Sequence, residues 1–307
     1  MRAAYRITDV AGSEEQDGVR TALLIHKVRQ DLAEQALKME IMDHGMDRFE
    51  ADGTAGAQSL PRRTLFGQPV LDVPWMTALG FLDHLAGKVG AHAKVAFLNA
   101  HNANVMLRDG EFRALLKDQL VLPDGVGLDL AALLIDGRPF AANLNGTDLV
   151  PALLTFMSTP RRIGLIGGRP GVLAGAVANF RQHAPWHEFL PMADGFFDDE
   201  ELPIILERLE EARIDLLLVG MGTPFQEKWV ARHITQRHAR LVLTVGALFD
   251  FVSGTVPRAP AWMRAIRFEW LYRLLLEPSR LWRRYLIGIP QFILHVLKAR
   301  RQARRKA

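Results

Sequence analysis

The 307-residue chain contains no cysteine, which excludes disulfides, thiolate-held metals and thiol catalysis and suits a reducing compartment. Long apolar runs are missing too. The best stretch, residues 285–297, is too short to span a bilayer and is interrupted by Pro290, Gln291 and His295, so no transmembrane helix is expected. Residues 1–20 mix Asp, Glu and Arg without an apolar segment, so no secretory signal is expected. The spacing G-x-G-x-x-G, a Walker lysine, an H-E-x-x-H pair and a suitably placed Asp-x-Asp are all lacking. Dinucleotide and P-loop motifs are therefore unmet, and no metal or cofactor is expected. Any phosphate charge falls to arginines and helix dipoles.

What is present is a chain that is 49% hydrophobic, ample for one large core with appendages. Its net charge of +4 conceals an asymmetry. From Arg258 onward there are 13 Lys/Arg against 2 Asp/Glu, whereas the preceding residues hold 25 against 32. An acidic body with a basic tail meets nucleic acid, anionic lipid or a phosphorylated ligand.

The first 60 residues are weakly patterned: an amphipathic helix is expected over 21–42 and a linker over 52–61. Beyond residue 65, short apolar runs alternate with helical stretches. Strands are expected over 95–99, 120–122, 162–167, 215–220 and 241–246. Helices are expected over 75–86, 104–116, 127–135, 147–158, 171–183, 200–212 and 224–237. Apolar runs of this kind belong to parallel strands buried on both faces, hence a layered α/β domain. Ligands of such sheets bind beyond the carboxyl ends of the strands. Those ends carry Asn99, His101 and Asn102; Asp124; Gly167 and Gly168; Gly222; and Asp250.

Each of these positions has two readings. The Gly167–Gly171 segment is a tight strand-to-helix turn or a phosphate cradle. Asp124, between Pro123 and Gly125, is a helix cap or a base for a sugar hydroxyl, and on spacing alone the cap is favoured. Thr147 or Asp148 caps the next helix, or faces a sugar. Gln226 and Glu227 are favourable at a helix start, or bind hydroxyls. In the tail, Trp262, Ile266, Trp270 and Leu274 recur about one turn apart with Arg264, Arg267 and Arg273 among them. That pattern suits a membrane interface, or aromatic packing on the body with solvated arginines. Arginines there also suit a diphosphate leaving group.

Read in order, the blocks resemble the WecG/TagA/CpsF glycosyltransferases (glycosyltransferase family 26). They run Phe97-Leu-Asn-Ala-His101, Leu122-Pro-Asp-Gly-Val-Gly127, Asn145-Gly-Thr-Asp-Leu149, Leu165-Ile-Gly-Gly-Arg-Pro-Gly171 and Asp194-Gly-Phe-Phe197. They continue through Gly220-Met-Gly-Thr-Pro-Phe-Gln-Glu-Lys-Trp229, Gly246-Ala-Leu-Phe-Asp-Phe251, Arg258-Ala-Pro-Ala-Trp262 and Glu269-Trp-Leu-Tyr-Arg-Leu274 to Glu277-Pro-Ser-Arg-Leu-Trp-Arg-Arg-Tyr285. The resemblance covers roughly residues 65–297. It implies a Rossmann-like parallel sheet with flanking helices over 63–256. An unassigned extension precedes it over 1–62, and a helical, basic, membrane-associated appendage follows over 257–307. It also implies an inverting, metal-independent enzyme, peripheral at the cytoplasmic face of the inner membrane. Such an enzyme moves a sugar from a UDP-sugar to an undecaprenyl-diphosphate-linked acceptor for teichoic acid, enterobacterial common antigen or exopolysaccharide. Asp124 falls on the family's aspartate base. Substrate contacts are expected from Asn99, Asn102, Thr147, Asp148, Gly167, Gly168, Gly222, Gln226, Glu227 and Asp250, and from Arg258, Arg264 and Arg267. The partner expected of the tail is then an anionic membrane surface and not nucleic acid, with self-association left open. One departure stands out: many members carry threonine where this chain has Phe97, which leaves the donor open between glucose, N-acetylmannosamine and its uronate. Two rival readings are a nucleotide-cofactor oxidoreductase and a non-enzymatic membrane adaptor of a polysaccharide assembly complex.

Overall fold

The computed structural model describes residues 60–260, 263 and 269–305. The helix expected over 21–42 lies outside them. A hairpin opens the described chain, β1 (Arg62–Leu65) paired antiparallel with β2 (Gln68–Leu71). Six parallel strands follow: β3 (Ala93–Leu98), β4 (Leu120–Pro123), β5 (Arg162–Gly167), β6 (Glu188–Ala193), β7 (Ile214–Gly220) and β8 (Ala239–Thr244). They form one sheet in the order β4-β3-β8-β7-β5-β6. The α/β class with a parallel sheet and flanking helices is as expected.

Strand alternation sorts the core into two layers. Val95, Phe97, Leu216, Leu218, Leu241 and Leu243 enter one apolar cluster. It is covered by α1 (Trp75–Gly87), and Ala96, Leu98, Leu217, Val219 and Val242 point to the other face. That face carries α2 (Ala100–Arg108), α3 (Gly110–Lys117) and α4 (Val126–Asp136) over the β3–β4 end. The first face also takes α5 (Gly146–Phe156) and α6 (Pro170–His183). The second takes α7 (Leu202–Ala212) and α8 (Phe225–His233) over the β5–β7 end. A short α9 (Leu248–Val252) follows β8.

Three expectations need correction. The hairpin and β6 were not anticipated: β6 is an edge strand whose Pro191 and mixed burial break the apolar signature, and only an edge tolerates a proline there. The single helix expected over 104–116 is two. Asp109 is extended, and its carboxylate accepts from the amide of Phe112 at 2.9 Å, so it ends α2 and caps α3. The helix expected over 224–237 stops at His233, where Ile234 turns extended and buries its side chain.

The tail forms α10 (Glu269–Leu276), α11 (Pro278–Trp282), a π-helical turn (Arg283–Ile287) and α12 (Gly288–Arg304). Pro290 supplies no amide to the carbonyl of Leu286, and the widened turn lies just before it. α12 packs on α2 and α4. Its Phe292 and Val296 are buried in the same cluster as Leu98, Leu128 and Ala131 of the body.

Candidate active site

The chain leaves β5 toward β6 and leaves β7 toward β8, on the opposite side, although β5 and β7 are neighbours. This reversal opens a crevice at their carboxyl ends. Here the backbones meet closely. A Cβ on Gly167 (φ +125°) would lie 2.2 Å from the carbonyl oxygen of Gly220. The Gly168 amide donates to that oxygen at 3.1 Å, and the Gly195 amide donates to the Gly168 carbonyl at 2.8 Å. Next to Gly195 is Phe196, 73% exposed, and at the head of α8 is Phe225, 55% exposed. Gly167 and Gly168 stand at this close approach, and Gly222 (φ +84°) lies just beyond β7. The two aromatic faces were not anticipated, because an exposed phenylalanine has no periodic signature.

Gln226 and Glu227 do not face a ligand, contrary to expectation; each is 1% exposed. The Gln226 side-chain oxygen accepts from the amides of Met221 (3.3 Å), Gly222 (3.2 Å) and Gly246 (3.1 Å), tying the ends of β7 and β8 together. Its Nε2 donates to Glu227 at 2.8 Å, and Thr223 Oγ1 donates to the same carboxyl at 2.8 Å. Burial pushes the Glu227 carboxyl above its usual range, opposed by these hydrogen bonds. Asp250 is half-buried in the first turn of α9, beyond β8.

At the other end of the rim, Asp124 follows β4. Its amide donates to the Leu98 carbonyl at 2.8 Å, extending the ladder past Pro123. It caps no helix: α4 starts after Gly125 (φ +87°), which makes no side-chain cap and whose amide donates to Asn143 Oδ1 at 2.8 Å. Asn99 Nδ2 donates to the Asp124 carboxylate at 3.0 Å, while Asn99 Oδ1 caps α2 by accepting from the Asn102 amide at 3.0 Å. The cap therefore fixes which end of the Asn99 amide meets Asp124. Asn102 itself is buried, donating to the Phe97 carbonyl at 2.8 Å; expected to face substrate, it instead holds the turn.

Burial raises the Asp124 pKa above the ordinary carboxylate range. The Asn99 hydrogen bond and the Arg284 charge act against this, and the charges of Asp148 and Glu269 add to it. Arg284 belongs to the π turn and was missed, since no local pattern ties it to a residue far back in the chain. Its charge also reaches His101, where burial first, then Arg284 and Arg108, lower the pKa to about 4. The imidazole is thus neutral at physiological pH.

The cap of α5 is Asn145, not Thr147 or Asp148: its side-chain oxygen accepts from the Asp148 amide at 3.0 Å and its Nδ2 donates to the Asp148 carboxylate at 2.9 Å. Thr147 is half-buried within the first turn and Asp148 is exposed. Arg258 Nη1 donates to Asp148 at 2.7 Å, while its Nε and Nη2 each reach Glu269 at 3.2 Å. Burial opposes the charge on Arg258, but the Glu269 and Asp148 hydrogen bonds outweigh it and raise its pKa. Arg258 thus clasps the body to α10. Arg273 lies over the Phe251 ring at 4.8 Å, Asn104 Nδ2 donates to the Gly288 carbonyl at 2.7 Å, and Arg108 donates to Gln291. Arg264 and Arg267 lie outside the described residues. Phe97 is buried beneath Gly146, where an added Cβ would come within 3.3 Å of its ring.

Among the described residues, no three His, Asp or Glu side chains converge as metal ligands, and no helix is long and apolar enough to cross a membrane. A rim with close-packed glycine backbones at one end and a half-buried, amide-anchored carboxylate at the other suits group transfer between two ligands. Residues 63–306 match the glycosyl transferase WecG/TagA/CpsF family. An N-acetylglucosaminyldiphosphoundecaprenol N-acetyl-beta-D-mannosaminyltransferase of Bacillus subtilis (strain 168) is 30% identical over 242 residues, 75% of this chain and 91% of its own. A relative of the same name from Bacillus spizizenii (strain ATCC 23059 / NRRL B-14472 / W23) is 28% identical over 226 residues, 72% and 86% of the two chains. The chain is a glycosyltransferase and belongs to the WecG/TagA/CpsF family.

Proposed function

We propose that the enzyme moves a sugar from a UDP-sugar to a hydroxyl of an undecaprenyl-diphosphate-linked saccharide, with inversion, at the cytoplasmic face of the membrane. The observation that carries this is the Asn99–Asp124 pair: a carboxylate that caps nothing, held by an oriented amide and raised by burial toward the range of a working base. The acceptor oxygen attacks the anomeric carbon, its proton passes to Asp124, and the bond to UDP breaks with the electron pair leaving on the diphosphate. Gly167, Gly168 and Gly222 give the nucleotide side its close backbone approach, and Phe196 and Phe225 offer faces for the base. Thr147, Asp148 and Asp250 lie along the sugar side. Arg284, whose charge already reaches Asp124, meets the departing diphosphate with Arg264 and Arg267. Arg258 holds the tail in place for that purpose.

The relatives' N-acetylmannosaminyltransferase activity makes UDP-N-acetylmannosamine the first donor to test and an N-acetylglucosaminyl lipid diphosphate the first acceptor. Phe97, whose buried ring presents no hydroxyl, keeps glucose and the uronate in the comparison. The basic tail supports lodging at an anionic membrane surface in polysaccharide synthesis, including exopolysaccharide. The test is UDP release across these donors with a lipid-diphosphate acceptor. A folded Asp124→Asn protein that turns over at the wild-type rate overturns the assignment of the base.

A further inference from the structure

α4 carries apolar side chains on two opposite sides; its acidic residues are Asp129, which is buried, and Asp136 at its end, which pairs with Arg63 at 2.8 Å. Leu128, Ala131 and Ala132 are buried in the body, yet Leu130 and Leu133 on the opposite side are each 47% exposed and Val126 is exposed in line with them. Positions 126, 130 and 133 are spaced as one helical stripe. A helix apolar on both sides lies in a core or against lipid. This stripe is not isolated, because α12 packs beside α4 and leaves its own Ile293, Leu294 and Leu297 exposed. Exposed Lys298, Arg301 and Arg304 follow on the same helix. Apolar rows flanked by cations match an anionic bilayer in both chemistry and charge.

We propose that α4 of the catalytic body, and not the tail alone, rests on an anionic bilayer. The helix that begins two residues after Asp124 would then set the height of the base above the lipid headgroups. Two residues span at most about 7 Å, so a sugar borne on a membrane-held diphosphate reaches Asp124 without the lipid leaving the bilayer. The inference builds on the proposed lipid-linked acceptor, but its readout does not depend on transfer chemistry.

The test is sedimentation of the full chain with phosphatidylglycerol/phosphatidylcholine vesicles and with phosphatidylcholine alone, comparing wild type with Leu130→Gln/Leu133→Gln. Both side chains are exposed, so the variant is expected to fold normally. Wild type is expected to partition onto the anionic vesicles, and the variant about tenfold more weakly, from the apolar area no longer buried in lipid. Its UDP release with a short water-soluble acceptor that lacks the polyprenyl chain is expected to stay unchanged. Equal vesicle binding by both proteins overturns the proposal. So does a wild-type dimer on gel filtration that the variant loses while vesicle binding persists, because the stripe is then covered by a second copy. If wild type partitions as expected but releases UDP from no donor, the surface stands and the functional reading fails.

Discussion

The two ends of the carboxyl rim are built from different materials. At the β5–β7 end, backbone meets backbone: Gly167, Gly168, Gly195 and Gly220 approach so closely that side chains have no room. At the β3–β4 end, side chains do the positioning: Asn99 orients Asp124, Asn143 holds Gly125, Asn145 caps α5, and the tail brings Arg284 and Arg258. A backbone-made site answers to substitution through the fold, whereas a side-chain-made site answers through chemistry. Mutations at the two ends are therefore expected to separate stability from turnover.

The largest effect is expected at Gly167. A methyl group there meets the Gly220 carbonyl, which belongs to a central strand and cannot yield, and the left-handed φ adds strain. Gly167→Ala is expected to lose several kcal/mol of stability, about 3 or more. Thermal unfolding and soluble yield check this. A variant melting within a degree of wild type would show that the crevice is looser than its contacts indicate.

Asp124→Asn is expected to do the reverse. Removing a general base lowers kcat by roughly 100- to 10,000-fold. Because burial raises the folded pKa above the unfolded value, the ionised carboxylate disfavours the folded state once the pH exceeds the unfolded pKa, and the asparagine abolishes that penalty. The variant is therefore expected to be at least as stable as wild type at neutral pH. Wild-type kcat/KM is expected to rise with pH through an acid limb lying above the ordinary aspartate value of about 3.9. A limb at the ordinary value, or a destabilised variant, would place Asp124 outside this role.

The contrast also explains what was legible beforehand. Strands such as β5, β7 and β8 declare themselves because both faces are buried and every position is apolar. β6 does not, since an edge strand with Pro191 keeps half its faces in solvent. Glycine turns at strand ends are local features and were readable. The direction of a side chain within a helix's first turn is not, so Gln226 and Glu227 were expected outward and lie inward. Asp124 looked like a cap on spacing alone, and only the ordered motifs around it marked a base. Arg284 was illegible because its nearness to Asp124 is created by α12 docking on α2 and α4, with Phe292 as the anchor.

A smaller effect sharpens the glycine end. Phe196→Ala removes an exposed ring that packs nothing large, so folding is expected to be unaffected. Base–aromatic stacking contributes about 1–3 kcal/mol, so the KM for the UDP-sugar is expected to rise roughly 5- to 150-fold with kcat little changed. An unchanged donor KM would leave the crevice purely backbone-made.

The smallest effect tests how the other end is assembled. Arg258 joins Asp148 on α5 to Glu269 on α10 through groups that are all partly exposed. Such pairs contribute about 1 kcal/mol or less each, and Phe292, Val296 and the Asn104–Gly288 bond hold the tail independently. Arg258→Gln is therefore expected to lower kcat about fivefold, the equivalent of about 1 kcal/mol in tail docking. Raising salt from about 0.05 to about 0.5 M screens the wild-type clasp, so wild-type activity is expected to fall toward that of the variant while the variant stays flat. An arginine that instead stabilises the diphosphate directly would lose on the order of 100-fold in kcat, as removal of a donor to a developing anion does. The size of the loss and its salt dependence together decide whether Arg258 is a clasp or a contact.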